Sequence, residues 1–140
     1  MSNPKYFELD ELLCSETALN CGIENLPSWE DVENLRELAM DVLDPLREAW
    51  GQPIAVTSGF RSPALNTKVG GVPSSAHMVG CAVDIRPASW STKSITDLFK
   101  LIQAMTGDGL IEVDQVILYR KKKIVHISNE HPRRKQFIVK

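Results

Sequence analysis

Residues 59–81 place the strongest constraint on how this 140-residue chain can fold. The segment reads GFRSPALNTKVGGVPSSAHMVGC, is rich in Gly, Ser and Pro, and shows neither helical nor strand periodicity. A stretch of that length without regular structure is uncommon inside a compact domain and is usually functional. We therefore expect ordered elements on both sides to hold it in place, and we expect it to carry part of a site.

The clearest regular element precedes this segment. Residues 29–50 carry apolar side chains at three- to four-residue spacing, which predicts an amphipathic helix. Ser28 is the expected N-cap and Gly51 the expected end of the helix. Pro45 lacks a backbone N–H and crowds the preceding turn, so it should kink or divide the helix near Leu43.

The remaining pattern predicts two further helices and a set of short strands. The helices are expected at residues 8–20 and 92–105. Strands are expected at Ile54–Ser58, Ala82–Arg86, Val113–Tyr119, Ile124–Ser128 and Phe137–Val139. A Lys-rich tip, Arg120–Lys123, joins two of them; a solvated hairpin tip is favoured over a binding patch. Helices come early and most strand pairs are close neighbours, so we predict one α+β domain over residues 1–140, with a small, mainly antiparallel sheet flanked by helices.

Composition and charge exclude several partner classes. The chain is 43% hydrophobic and 24% charged with a net charge of −2, so no general basic field favours nucleic acid or an anionic membrane. No apolar run approaches the roughly 20 residues that cross a bilayer. The start, MSNPKYFELDELL, lacks the pattern of a secretory signal, so we expect the chain to be cytoplasmic as synthesised. Cys14, Cys21 and Cys81 form no CxxC pair, and reduced, buried structural thiols are expected.

Two of the three histidines stand where a metal site would need them. His77 lies in the aperiodic segment, Asp84 follows seven residues later, and His126 lies in the middle of a predicted strand. Seven residues separate side chains by about 10 Å on a helix and place them on opposite faces of a straight strand. A shared ion therefore requires a turn between them, for which Gly80 is suited. Two imidazoles and one carboxylate leave a fourth position open, as in catalytic zinc sites. Structural roles for the same residues remain the alternative, and His131 is expected in an exposed tail rather than at a substrate.

Four motifs resemble one family. The segment SAHMVGCAVD at residues 75–84 resembles the SxHxxGxAxD signature of zinc D-alanyl-D-alanine carboxypeptidases and VanX-type dipeptidases. The segment SGFRS at residues 58–62 resembles their SGYRS motif, and VHIS at residues 125–128 is similar to their third-ligand strand. The segment DQVI at residues 114–117 is similar to a strand of the phage-associated, endolysin-like branch.

The resemblance implies a fold of the hedgehog and DD-peptidase type and one bound Zn²⁺. Its ligands would be His77, Asp84 and His126. Arg61 would lie near the metal, as a catalytic and substrate-binding group that holds a substrate carboxylate or stabilises a developing oxyanion. Ser75 would hydrogen-bond the substrate. The alternatives are an ion pair of Arg61 that stabilises the long loop and a Ser75 that only shapes it.

The activity implied by the resemblance is zinc-dependent hydrolysis of peptide bonds in peptidoglycan. The partner would be a stem peptide containing D-amino acids, cut by a carboxypeptidase or an endolysin-type endopeptidase, without nucleic acid or membrane insertion. A phage-type lysis system would release such a protein to the cell wall.

The chain departs from the family at the proton acceptor that such hydrolysis needs. Relatives commonly carry a Glu three residues before the third ligand, where this chain has Lys123. Some phage-type members carry a Glu after the DQ strand, where this chain has Tyr119. Asp114, Glu112 and Glu130 remain as possible bases. The departure leaves a second hypothesis open, a non-catalytic zinc-containing module or pseudoenzyme that binds peptidoglycan.

Overall fold

The structure, a computed structural model, describes residues 3–140; Met1 and Ser2, the first residues of the predicted domain, lie outside that range. The helices are α1 (Leu9–Leu13), α2 (Glu16–Cys21), α3 (Trp29–Leu38), α4 (Asp44–Trp50), α5 (Pro63–Lys68) and α6 (Ile95–Gly107). A π-helical turn spans Ala39–Leu43 and a 3₁₀ turn spans Ala76–Val79. The strands are β1 (Ile54–Ser58), β2 (Ala82–Pro87), β3 (Gln115–Tyr119), β4 (Ile124–Ser128) and β5 (Gln136–Val139).

The strands form one sheet in the order β1-β2-β4-β3-β5. The pairs β1/β2, β2/β4 and β3/β4 are antiparallel, and β5 joins β3 in parallel at the edge. The predicted α+β class with a small, mainly antiparallel sheet is confirmed. No helix within residues 3–140 is long and apolar enough to cross a membrane.

The two faces of the sheet differ in chemistry because side chains alternate along each strand. One face is apolar and buried, and helix α6 packs across β2, β3 and β4 on that side. Its residues on those strands are Val83, Ile85, Val116, Leu118, Val125 and Ile127. The opposite face carries Asp84, Gln115, Ile117, Tyr119, Ile124, His126 and Ser128. The polar side chains in the middle of the sheet are therefore turned away from the core.

The predicted helix at residues 29–50 is divided near Leu43, as expected. Ser28 caps α3 through a capping box with Asp31, which satisfies two otherwise free backbone N–H groups. The π turn ends where α4 begins, and Pro45 occupies the first turn of α4, where its missing N–H is tolerated. Gly51 ends α4 in the left-handed conformation at φ +77°.

Two local predictions are wrong. The expected helix at residues 8–20 is two helices, because the Ser15 side chain accepts a hydrogen bond from Ala18 N and starts α2 anew. The segment 59–81 is not without structure, since α5 and the 3₁₀ turn lie within it. Each spans at most six residues, too short to produce a recognisable period in the sequence.

The thiols are free but not all buried. Cys14 and Cys21 are exposed, which corrects the expectation of two small buried side chains. Cys81 is half-buried, and burial raises the pKa of its thiol to about 11. A thiol with that pKa stays protonated near neutral pH and is a poor nucleophile or metal ligand.

Candidate metal centre

Three side chains from separate parts of the chain meet on the polar face of the sheet. His77, Asp84 and His126 each offer one ligand atom, and these atoms lie within 4.8 Å of one another. Asp84 Oδ1 is 3.0 Å from His126 Nδ1 and 3.3 Å from His77 Nε2. Strand register explains two of the three ligands, because Asp84 of β2 and His126 of β4 are direct partners and so project from the same face.

His77 reaches the same point from the 3₁₀ turn. The Ser75 hydroxyl accepts a hydrogen bond from His77 N and starts this turn. Gly80 ends it at φ +77°, and a Cβ there would also lie 2.3 Å from Asp31 O. The chain then enters β2 and reaches Asp84, so the turn expected between His77 and Asp84 is present at Gly80. Ser75 shapes the loop, one of the two roles considered for it, and it also lines the groove described below.

The His77 ring is held as metal-binding histidines are. Its Nδ1 lies 2.7 Å from the carbonyl oxygen of Gly59, which fixes the tautomer with Nδ1 protonated. Its Nε2 then carries a lone pair, is buried, and has no hydrogen-bond partner among the described residues. His77 itself is 2% exposed. A buried acceptor without a partner is costly, whereas a ligand histidine anchored through its other nitrogen is the usual arrangement around a protein-bound metal.

Asp84 is an ionised carboxylate shared between the histidines and Arg61. Burial alone would raise the pKa of Asp84, but the contacts of its carboxylate, led by the hydrogen bond from His126, outweigh burial and hold that pKa well below its ordinary value. The Arg61 guanidinium lies 3.4 Å from Asp84 Oδ2 and also hydrogen-bonds Ser58 Oγ and Asn66 Oδ1. Arg61 therefore orients the carboxylate and ties the long loop to β1, which includes the ion-pair role considered for it.

The cluster opens into a groove of about 550 Å³. One wall is the loop that includes Gly70, Ser75 and Ala76, and the floor is the polar face of the sheet. Arg61, Asp84, His77 and His126 all line it, so a substrate in the groove would contact the cluster directly. The groove is a concave surface of the kind that binds ligands.

The structure separates the possible proton acceptors. Asp114 is held by Arg134 through contacts of 2.9 Å and 3.0 Å, and Glu112 pairs with Arg133 outside the groove. Glu130 lines the groove, but it is exposed and lies beyond the end of β4, four residues after His126. None of these three carboxylates therefore stands beside the cluster as a free proton acceptor.

The two positions at which the resemblance leads one to expect a Glu are not equivalent. Lys123 is exposed, has a φ of 56° in the hairpin turn and does not line the groove. Tyr119 is half-buried, lines the groove and pairs with Ile124, two residues from His126. A carboxylate at position 119 would face the cluster, whereas one at position 123 would not.

Comparison with protein families identifies the chain. The model of the Peptidase M15 family matches residues 5–128, nearly the whole chain. The chain belongs to the peptidase M15 family. No curated protein matches it significantly. Peptidases of this family depend on zinc, and the cluster of His77, Asp84 and His126 is compatible with that metal. The resemblance found in the sequence is confirmed at the level of this family.

The donor set fits Zn²⁺. Two imidazole nitrogens and one carboxylate oxygen are the ligands of catalytic zinc sites, with a fourth position left for solvent or substrate. The buried Nε2 of His77, which has no hydrogen-bond partner among residues 3–140, is the observation in this chain that favours such an ion. Sequence reasoning missed the Gly59 carbonyl, because a backbone oxygen has no signature of its own and only the SGFRS motif pointed to its neighbourhood.

Proposed function

We propose that this M15 peptidase hydrolyses peptide bonds in peptidoglycan stem peptides that contain D-amino acids, as a carboxypeptidase or an endolysin-type endopeptidase. The observation that carries the proposal is the fixed His77 ring, whose buried Nε2 points at Asp84 and His126 on the floor of an open groove. A structural zinc site would be closed by a fourth protein ligand, and no fourth His, Cys, Asp or Glu among residues 3–140 joins this cluster.

The residues around the cluster have separable roles in this proposal. A zinc ion held by His77, Asp84 and His126 would supply Lewis-acid polarisation of the peptide carbonyl and activation of the attacking water. Arg61 keeps Asp84 oriented and presents a fixed positive charge at the groove, where it holds a substrate carboxylate or stabilises the developing oxyanion. Ser75 lines the same wall and offers a hydroxyl to the substrate backbone.

Proton transfer is the step of hydrolysis that this site supports least, because no base is positioned beside the cluster. General acid–base groups contribute about 10²–10⁴-fold to enzymatic rates. Tyr119 stands nearest to the position of a base, but burial and the charge of Asp84 raise the pKa of its phenol, so it donates hydrogen bonds and does not accept protons near neutral pH. We therefore expect hydrolysis slower by about that factor than in a family member with a Glu at this position.

The lack of a positioned proton acceptor beside the cluster favours a second candidate function. A zinc-containing module that binds peptidoglycan without cutting it needs the groove and Arg61 but no base. Such a pseudoenzyme would retain zinc and wall affinity and release no fragments.

Elemental analysis of the purified protein, combined with incubation on purified peptidoglycan, tests both candidates. We expect about one zinc per chain and slow release of stem-peptide fragments. The variant His126→Ala should lose both. The variant His131→Ala is the matched control, because this histidine is exposed and lies outside the cluster.

The outcomes separate the candidates. Zinc with fragment release supports the peptidase and leaves the cleaved bond to be identified by mass spectrometry. Zinc and wall binding without fragments supports the binding module. Absence of zinc after reconstitution, or equal zinc in His126→Ala, contradicts both.

A further inference from the structure

The groove has a basic end at the hairpin tip. Lys122 and Lys140 both line the groove, and their ammonium groups lie 5.2 Å and 5.9 Å from the centre of the Tyr119 ring. Lys122 belongs to the turn between β3 and β4. Lys140 is held beside this turn by two backbone hydrogen bonds, from Lys140 N to Leu118 O and from Arg120 N to Lys140 O. Two cations from distant parts of the chain therefore converge on one aromatic ring.

These two ammonium groups contact the Tyr119 ring rather than an acidic side chain. The acidic side chains Asp84 and Asp114 of the groove are engaged by Arg61 and Arg134, respectively. Neither Lys122 nor Lys140 forms an ion pair with any of residues 3–140. Two like charges near one ring repel each other, and an anion placed between them would relieve that repulsion.

The groove carries charged side chains on both sides of the cluster. Strand β4 runs from Ile124, beside the basic tip, through His126 at the cluster to Ser128. Glu130 follows Ser128 and lines the far end of the groove. A peptide lying along β4 would thus meet the basic tip at one end, the cluster in the middle, and Glu130 with the paired Asp114 and Arg134 at the other end.

The distance between the basic end and the cluster sets where the anion must be. Tyr119 pairs with Ile124, which is two residues, or roughly 7 Å, from His126 along the strand. The two ammonium groups surround the Tyr119 ring, so the basic end lies roughly 7–10 Å from the cluster, the span of two to three residues of extended peptide. Arg61, in contact with Asp84, serves a carboxylate adjacent to the cluster, so the basic end serves a different one.

We propose that Lys122 and Lys140, arranged around the Tyr119 ring, bind a carboxylate of the peptide substrate about two to three residues away from the bond at the cluster. This subsite rests on the proposed function, since it assumes a peptide in the groove. A stem peptide has the required chemistry, because the α-carboxylate of its γ-linked D-Glu and its C-terminal carboxylate are separated along the chain. If the D-Ala–D-Ala bond is cut, the C-terminal carboxylate is adjacent to it and the D-Glu α-carboxylate is remote. If the L-Ala–D-Glu bond is cut, the D-Glu α-carboxylate is adjacent and the C-terminal carboxylate is remote.

The test measures affinity and does not depend on turnover. The probes are the peptide L-Ala–γ-D-Glu–L-Lys–D-Ala–D-Ala and two versions of it, one amidated at the D-Glu α-carboxylate and one at the C-terminus. Titration calorimetry with the zinc-loaded protein should show that amidating the remote carboxylate weakens binding about 10-fold, a few-fold for each exposed lysine. The same loss should diminish in high salt, because the ammonium groups are exposed.

Variants assign the effect to the basic end. In the double variant Lys122→Ala/Lys140→Ala, the difference between the free and the remotely amidated peptide should fall below about two-fold. Lys100→Ala, which removes an exposed lysine on α6, should leave the difference unchanged. Circular dichroism of all variants checks that the fold is retained.

The results distinguish failure of the subsite from failure of the proposed function. Equal affinity for all three peptides, no binding of any of them, or discrimination that survives in the double lysine variant overturns the basic-end proposal, even if the peptides are cleaved. Discrimination that disappears in the double variant, without cleavage of any peptide, supports the subsite and contradicts the peptidase.

Discussion

The two faces of the central sheet use the same strands for different purposes. On β4, Val125 and Ile127 are buried in the core, while His126 between them belongs to the cluster. On β2, Val83 and Ile85 flank Asp84 in the same way. Because neighbouring residues of a strand project to opposite faces, a single position decides whether a side chain supports the fold or the chemistry. We therefore expect substitutions on one face to change the stability of the fold and substitutions on the other face to change metal binding.

The largest effects are expected from replacing two adjacent residues of β4, one on each face, with Ala in separate variants. His126→Ala should abolish activity and weaken zinc binding by more than about 100-fold, because removing a ligand costs more than disturbing a supporting residue. Ile127→Ala should destabilise the metal-free fold by about 3 kcal/mol, because it leaves a cavity in the core. Zinc titration and denaturant unfolding of the metal-free proteins measure both quantities.

Two outcomes would contradict this division between a face for stability and a face for zinc binding. A metal-free His126→Ala that loses as much stability as Ile127→Ala would show that the cluster also supports the fold. Folded Ile127→Ala with strongly reduced zinc affinity would show that the core sets the cluster geometry.

A smaller effect is expected from adding a base to the polar face. Tyr119→Glu should increase the rate of peptidoglycan hydrolysis by about 100-fold, the lower end of what general bases contribute. Lys123→Glu should leave the rate unchanged, since position 123 lies in the exposed turn and outside the groove. Fragment release at equal zinc content is the measurement. An equal gain in both variants would mean that added negative charge, and not a positioned base, is responsible.

The smallest effect is expected for the stability that the ion pair of Asp114 and Arg134 on the polar face contributes. Arg134 holds the pKa of Asp114 below its ordinary value. It does so through hydrogen bonds from its side chain, a hydrogen bond from its backbone N–H and its positive charge. A group with a lowered folded-state pKa stabilises the fold above its unfolded pKa of about 4, and this stabilisation is lost as pH falls through the folded pKa. Asp114→Asn should therefore be modestly destabilising at pH 7, and the difference from wild type should shrink as pH falls below about 4.

Thermal unfolding at several pH values measures this difference. Asp108→Asn, an exposed residue after α6, is the matched control and should not show the same trend. A destabilisation of Asp114→Asn that persists unchanged at low pH would attribute the effect to packing, not to the ionised pair.

Local chemistry made much of this protein readable from its sequence. The capping box of Ser28 and Asp31, the break near Pro45 and the left-handed Gly51 are fixed by neighbouring residues, so they were predictable. The turn at Gly80 was predictable for the same reason, because no straight element can bring His77 and Asp84 to one ion. The motifs at residues 58–62, 75–84 and 125–128 pointed to the family that the whole-chain match identifies.

Only the tertiary structure decided which side chains share a surface. The pairing of Asp84 with His126, the Gly59 carbonyl behind His77 and the convergence of Lys122 and Lys140 on Tyr119 join residues far apart in sequence. The sequence likewise left position 119 and position 123 equivalent, and only the hairpin geometry showed that one faces the groove and the other solvent. Short-range patterns determine helices, turns and strand faces, whereas register and loop packing depend on contacts between distant segments, which no local pattern encodes.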